Sequence, residues 1–294
     1  MRCIAVDRSE LNTAGENGTT AAMKTRTWLV VGLTLALGAG ADAVPAKKAA
    51  KGPAKAEIAP LVTALNGAGV EEAAKAADQL GASVDPAAHD ALLDALAWGL
   101  PPAVAVNAIA ALGQHPAPPD VAALKRYAGH HSPSVRSAAF GALAMYPDPA
   151  AHQIVIAGLH DAAGIVRGAA AAAAAKGHVR EAVDPLFDLL ARGEEPAARA
   201  LAAMADADLA RKIGDQFGKV PDAALAQCLG MILKRADFGP DDARVELVRA
   251  LGKIQDSAAL TALSDYVDAT PKNPPRQSRE EALKMVEARI GGAK

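Results

Sequence analysis

From Ile58 to Ile290 apolar residues recur every three or four positions, in stretches of roughly 10–15 residues separated by short breaks that hold Gly, Pro or Asp. This spacing predicts helices near 58–66, 70–81, 87–98, 101–113, 118–129, 133–146, 149–159, 163–177, 181–192, 196–204, 207–217, 221–235, 241–254, 257–268 and 277–290. No segment carries a strand signal, so the expected class is all-α.

The stretches also resemble one another. SPSVRSAAFGAL (Ser132 to Leu143) and DAAGIVRGAAAAAA (Asp161 to Ala174) align on Val135-Arg136 and Val166-Arg167, 31 residues apart, and DDARVELVRALGKI from Asp241 repeats the pattern at Arg244. Small or aliphatic residues follow Arg136 at Ala139, Phe140, Ala142 and Leu143, and follow Arg244 at Leu247, Val248, Ala250 and Leu251. That spacing makes one apolar helix face with arginine at its start. Leu80-Gly81 and Leu112-Gly113 fit the same register without the arginine, the glycine reading as a helix stop. A helix pair of about 30 residues cannot bury its apolar face alone, so successive pairs must stack into a continuous core.

Second helices of the form V-R-x-x-A-A-x-A-L, with an aspartate ahead of the arginine, resemble the HEAT repeats of bacterial, bilin-lyase-like proteins, over roughly residues 58–290. The resemblance implies a right-handed α-solenoid of about seven HEAT-like helix pairs. It further implies second helices lining the concave face, and an aspartate–arginine ladder between repeats, a pattern that Asp161 and Arg167 fit best. The step from Arg167 to Arg244 is 77 residues, not a multiple of 31, and predicts an extra or shifted helix around 205–238.

The ends of the chain read differently. Residues 1–22 are polar and lack apolar periodicity. From Met23 a positive start (Lys24, Arg26), an apolar run from Trp28 to Ala41 and the small-residue exit Ala41-Asp42-Ala43 form an export signal over 23–43, too short to remain as a membrane span. The expected mature chain begins at Val44, in the periplasm or outside the cell. Residues 44–57, with Lys47, Lys48, Lys51 and Lys55 among Ala, Pro and Gly, read as a solvated linker.

Composition narrows the function classes. With 31 basic and 33 acidic residues there is no whole-chain field to attract nucleic acid, and 3% aromatic content offers little for stacking on bases. Cys3 and Cys228 make no disulfide framework. Hydrolase, zinc-protease, dithiol and phosphate-loop motifs are missing. Six of seven histidines lie between His115 and His178, a density that invites a metal reading. However, His130, His131 and His160 end first helices while His115 and His178 end second helices, so the two groups fall on opposite edges of the stack. Trp98 and Phe140 read as core, Cys228 as a buried small hydrophobe.

The expected function is a non-catalytic protein-binding scaffold without cofactor or metal. The residues expected to meet its partner are Arg136, Arg167 and Arg244 at the starts of second helices, Ala170 and Ala171 in the bare run Ala169 to Ala175, and Lys272 and Arg276 in the proline-rich basic loop before the last helix. The competing class is a HEAT-type enzyme, bilin-lyase-like or metal-dependent, which elemental analysis and a chromophore-binding assay would separate from a scaffold.

Overall fold

A computed structural model describes residues 55–291 apart from residue 68. The expected polar extension (1–22), export signal (23–43) and most of the linker (44–57) lie outside the described residues.

The described residues form fifteen α-helices joined by short turns, and no strand occurs among them. The first pairs are α1 (Lys55–Leu65) with α2 (Val70–Gly81), α3 (Pro86–Trp98) with α4 (Pro102–Leu112), α5 (Asp120–Ala128) with α6 (Pro133–Leu143), and α7 (Pro149–Gly158) with α8 (Gly164–Lys176). Then come α9 (Val183–Ala191) with α10 (Glu195–Met204), α11 (Ala207–Gly214) with α12 (Asp222–Lys234), α13 (Asp241–Lys253) with α14 (Ser257–Ala269), and a closing α15 (Gln277–Gly291). The helix starts are written locally: Asp85, Asp148, Asp206 and Asp256 cap α3, α7, α11 and α14 with their carboxylates on first-turn N–H groups. Proline occupies the first turn of α3, α4, α6, α7 and α10, where its missing N–H costs nothing.

The seven second helices, α2 through α14, each pack on the next to form one layer, and each first helix packs on its own partner. The result is an α-solenoid with one continuous apolar core running from Ile58 to Val286. Alanine lets the second helices approach closely. A Cβ on Gly81 would lie 2.5 Å from Ala111 Cβ and 2.8 Å from Ala111 Cα, and one on Gly113 would lie 3.3 Å from Ala142 Cα. Gly113 itself stays in the right-handed helical region at φ −66°. These glycines stand where α2 and α4 end, as expected of helix stops, and they also provide room for the neighbouring helix.

Two expectations need correction. No extra helix occurs between 205 and 238; α11 and α12 continue the alternation. The distance of 77 residues is about two and a half repeats, because α13, which carries Arg244, lies in the first-helix layer with α11 and α15, not among the second helices. Trp98, expected in the core, is the last residue of α3 and is 91% exposed, whereas Phe140 is buried as expected.

Candidate functional site

The arginines that open the second helices of the central repeats are tied into the turns. Arg136 on α6 donates through Nε and Nη2 to both carboxylate oxygens of Asp161, each at 2.8 Å, and through Nη1 to the carbonyls of His130 and His131. One repeat on, Arg167 on α8 pairs with Glu194, with Nε 2.9 Å from Oε1, and donates to the carbonyls of Asp161 and Ala162. Each arginine therefore clamps the turn behind it and reaches the carboxylate of the turn ahead. A ladder exists, but its second rung ends on glutamate, and Asp161 serves Arg136 with its carboxylate and Arg167 with its carbonyl.

Both partners of the first rung are largely shielded, with side chains 15% exposed. The Arg136 hydrogen bonds hold the Asp161 carboxyl below the usual carboxylate range, against burial, which raises it, and with help from the N–H of Ala163. Asp161 thus takes up a proton more readily in the unfolded chain than in the folded one. Its contribution to stability is fully present above pH about 4 and is lost as pH falls through its depressed folded value. Asp206, with its carboxylate on the N–H of Leu209, shifts in the same direction. The urea midpoint is expected to hold from pH 8 to about 5 and then drop, with a smaller acid drop in Asp161→Asn; an identical acid slope in that variant would contradict the assignment.

The remaining candidates separate. Ala170 and Ala171 are fully buried between helices and so present nothing to a partner. Arg244 is 5% exposed and caps α12 through the carbonyls of Leu233, Arg235 and Phe238, with no carboxylate rung. Lys272 and Arg276 are exposed in the α14–α15 turn. Cys228 is buried, its Sγ lies 3.4 Å from the Ala198 carbonyl oxygen, and burial pushes its thiol up to about 12, so it is no nucleophile near neutral pH.

The histidines divide as their positions predict. The rings of His130 and His131 lie 4.0 Å apart in the α5–α6 turn, and burial and the neighbouring His131 lower the His130 pKa. His89 does not pair with the adjacent Asp90: its Nε2 lies 2.7 Å from Asp120. Asp120 is fully buried and also takes Tyr146 Oη at 2.6 Å and the N–H of Ala117 at 2.9 Å. Sequence reasoning missed this junction, because an aspartate after two prolines looks like any helix cap. Among the described residues no group of three or more His, Cys, Asp or Glu is placed to hold a metal ion, and no helix is long and apolar enough to cross a membrane.

The most distinctive surface lies on the second helices of repeats two to four. The outward positions of α4, α6 and α8 include Ala103, Ala110, Ser137, Gly141, Ala169 and Ala172, all exposed or half-buried, and none of these three helices carries a charged residue besides Arg136, Arg167 and the terminal Lys176. The flanking second helices are charged: Glu71, Lys75 and Asp78 on α2, Glu195 and Arg199 on α10. Three helices of roughly 16–20 Å, spaced about 8–10 Å apart, present a patch on the order of 500 Å². A patch of that size matches the largest apolar patch of a typical monomer, which is often functional, and makes this face the candidate contact surface. Beside it an open depression of about 570 Å³ between α8 and α10 is walled by Gly168, Ala172, Pro196 and Ala203.

The described residues form an α-solenoid of stacked helix pairs, the architecture that HEAT-repeat proteins share. The HEAT-repeat family profile matches residues 90–175, from within α3 to the end of α8, and the chain carries HEAT repeats over that span. No curated protein matches the sequence. Among solved structures, a chain of a homology model of the full-length AP-3 complex is similar at 12% identity and TM-score 0.50, over 79% of this chain and 50% of that one. This chain thus spans about half the length of that AP-3 chain. The complex of CpcE and CpcF of phycocyanin lyase from Nostoc sp. PCC7120 is similar at 18% identity and TM-score 0.43, over 85% of this chain and 99% of that one. The karyopherin Kap121p bound to Ste12p is similar at 14% identity and TM-score 0.47, over 78% and 29%. At such identities the likeness concerns the fold.

Proposed function

We propose that the chain is a non-catalytic scaffold that binds a protein partner on the uncharged second-helix face of α4, α6 and α8, and that the segment 23–43 exports it to the periplasm or cell exterior. The observation that carries the reading is the contrast between this face and its charged flanks. Small side chains over three aligned helices leave a shallow, uncharged surface into which larger apolar side chains of a partner can pack. Membership of a large assembly, which the AP-3 likeness brings to mind, fits an extended repeat surface.

Charge substitution separates contact from packing. Ala110→Glu, Gly141→Glu and Ala172→Glu place charge at exposed positions, so the helical signal and melting temperature are expected to stay close to those of the parent. Affinity for a partner identified by crosslinking in native envelope extract is expected to fall about tenfold or more, as charge on a desolvated contact does. Ala171→Glu, at a fully buried position, is expected to unfold its repeat instead. Unchanged partner affinity in the three exposed variants rules the face out. Export is checked separately by amino-terminal sequencing of envelope protein: a start at Val44 supports it, and an intact Met1 or Met23 in the soluble mature fraction overturns it.

A further inference from the structure

We propose that the cleft between the α12–α13 turn and the α14–α15 turn is a binding site for a phosphate group, held by Arg244 and Arg276 with Thr270 beside them. The cleft encloses about 230 Å³, and its walls include four cations, Lys234, Arg235, Arg244 and Arg276, and no carboxylate. Two of the four are neutralised from outside the cleft: Lys234 Nζ lies 2.7 Å from Asp265 Oδ2, and Arg235 Nη2 lies 2.7 Å from Asp237 Oδ2.

Arg276 has no carboxylate partner, and Arg244 has only the Coulombic field of Asp237, whose carboxylate is hydrogen-bonded to Arg235. The Arg244 side chain is 5% exposed, yet its partners are three carbonyls and no carboxylate, and its Nε makes no hydrogen bond among the described residues. The carboxyl end of α12 offsets about half a charge. With two carboxylates for the four cations, the buried Arg244 lacks a counter-ion of its own, which favours a bound anion. Arg276, on the exposed rim, makes no side-chain hydrogen bond or ion pair among the described residues, and neither does the Thr270 hydroxyl.

Charge and shape select the ligand. The uncompensated charge is about +1.5 to +2, and a phosphate monoester carries about −1.5 to −2 near pH 7 with three acceptor oxygens, whereas a carboxylate carries a single charge. Arg276 can offer its guanidinium fork to a pair of phosphate oxygens, while Arg244, whose Nη2 is committed to the carbonyls of Arg235 and Phe238, can add its Nε–H. The volume falls below the roughly 300 Å³ at which pockets hold a whole drug-sized ligand, so the site takes a phosphate with little attached. It sits on different helices from the α4–α6–α8 face and stands apart from the scaffold reading.

Isothermal titration of the full chain with inorganic phosphate, at constant ionic strength against chloride, tests this. Saturable binding is expected, weakened about tenfold or more in Arg276→Ala and less in Arg276→Lys. Because Arg276 and Lys272 are exposed, these variants and the control Lys272→Ala keep the fold, and Lys272→Ala should leave affinity within about twofold. Glycerol phosphate binding as tightly as or more tightly than inorganic phosphate identifies a monoester as the ligand source; inorganic phosphate binding alone identifies the free ion. Absence of saturable binding, equal affinity for acetate, or unchanged affinity in Arg276→Ala overturns the proposal.

Discussion

Asp120→Ala is expected to cost about 3 kcal/mol or more, the largest loss of any single substitution outside the apolar core. The Asp120 carboxylate is fully buried and joins three parts of the chain: His89 on α3, the Ala117 N–H ahead of α5, and Tyr146 just after α6. Removing it leaves the Tyr146 hydroxyl only the Leu112 carbonyl, at 3.4 Å, and takes the partner from a part-buried histidine nitrogen, and each weakened group carries its own desolvation cost. Burial and the bond to Asp120 also push the Tyr146 phenol far above its ordinary range, so that group remains a neutral donor at any working pH. Asp120→Asn keeps an acceptor and should recover part of the loss. For a chain of this length the melting temperature of Asp120→Ala is expected to drop by roughly 6–12 °C. Repeat proteins unfold by segments, so amide exchange should accelerate around α3 to α6 while α13 to α15 keep their protection. A loss under about 0.5 kcal/mol would show that the junction is not a fastening point.

Phe140→Ala is expected to cost about 3 kcal/mol, and its coupling to Gly158 is the more telling measurement. The Phe140 ring on α6 is 3% exposed and forms the floor of an apolar groove of about 900 Å³ between α5 and α7. A Cβ on Gly158 would lie 2.4 Å from two of its ring carbons and 2.9 Å from Ala170 Cβ. Glycine to alanine within a helix normally stabilises by about 1 kcal/mol. Here overpacking of about 1–3 kcal/mol opposes that gain, and with contacts this short it wins, so Gly158→Ala alone destabilises. Once the ring is gone the methyl has room, and the double variant Phe140→Ala/Gly158→Ala should be more stable than the two single costs predict, by about 1 kcal/mol. Additivity within about 0.3 kcal/mol would mean that ring and glycine do not share that space.

The two junctions differ in how far the sequence discloses them. Phe140 stands at core spacing after Arg136, so its burial is legible from periodicity. The need for glycine at 158 is not, since it depends on a ring from a different helix. The role of Asp120 is not legible, because its side-chain partners come from 31 residues before and 26 residues after it.

What the sequence determined by itself is the helical content and nearly every helix boundary, from α2 at 70–81 to α14 starting at Ser257. Those features depend on local physics: apolar spacing at the helix period, capping aspartates and first-turn prolines act within a few residues of where they stand. Only the tertiary structure decided which layer each helix joins and which side of an alanine helix faces outward. Arg244 opens an apolar helix face spaced like those of Arg136 and Arg167, yet α13 lies in the other layer, so the arginine closes a helix end where its counterparts build a ladder. Along Ala169 to Ala175 the side chains are identical, and no polarity contrast marks the buried face; stacking against α6 and α10 buries Ala170 and Ala171 and leaves Ala172 exposed. Periodicity reports that a helix has a face, but the identity of its neighbours follows from the order in which repeats stack.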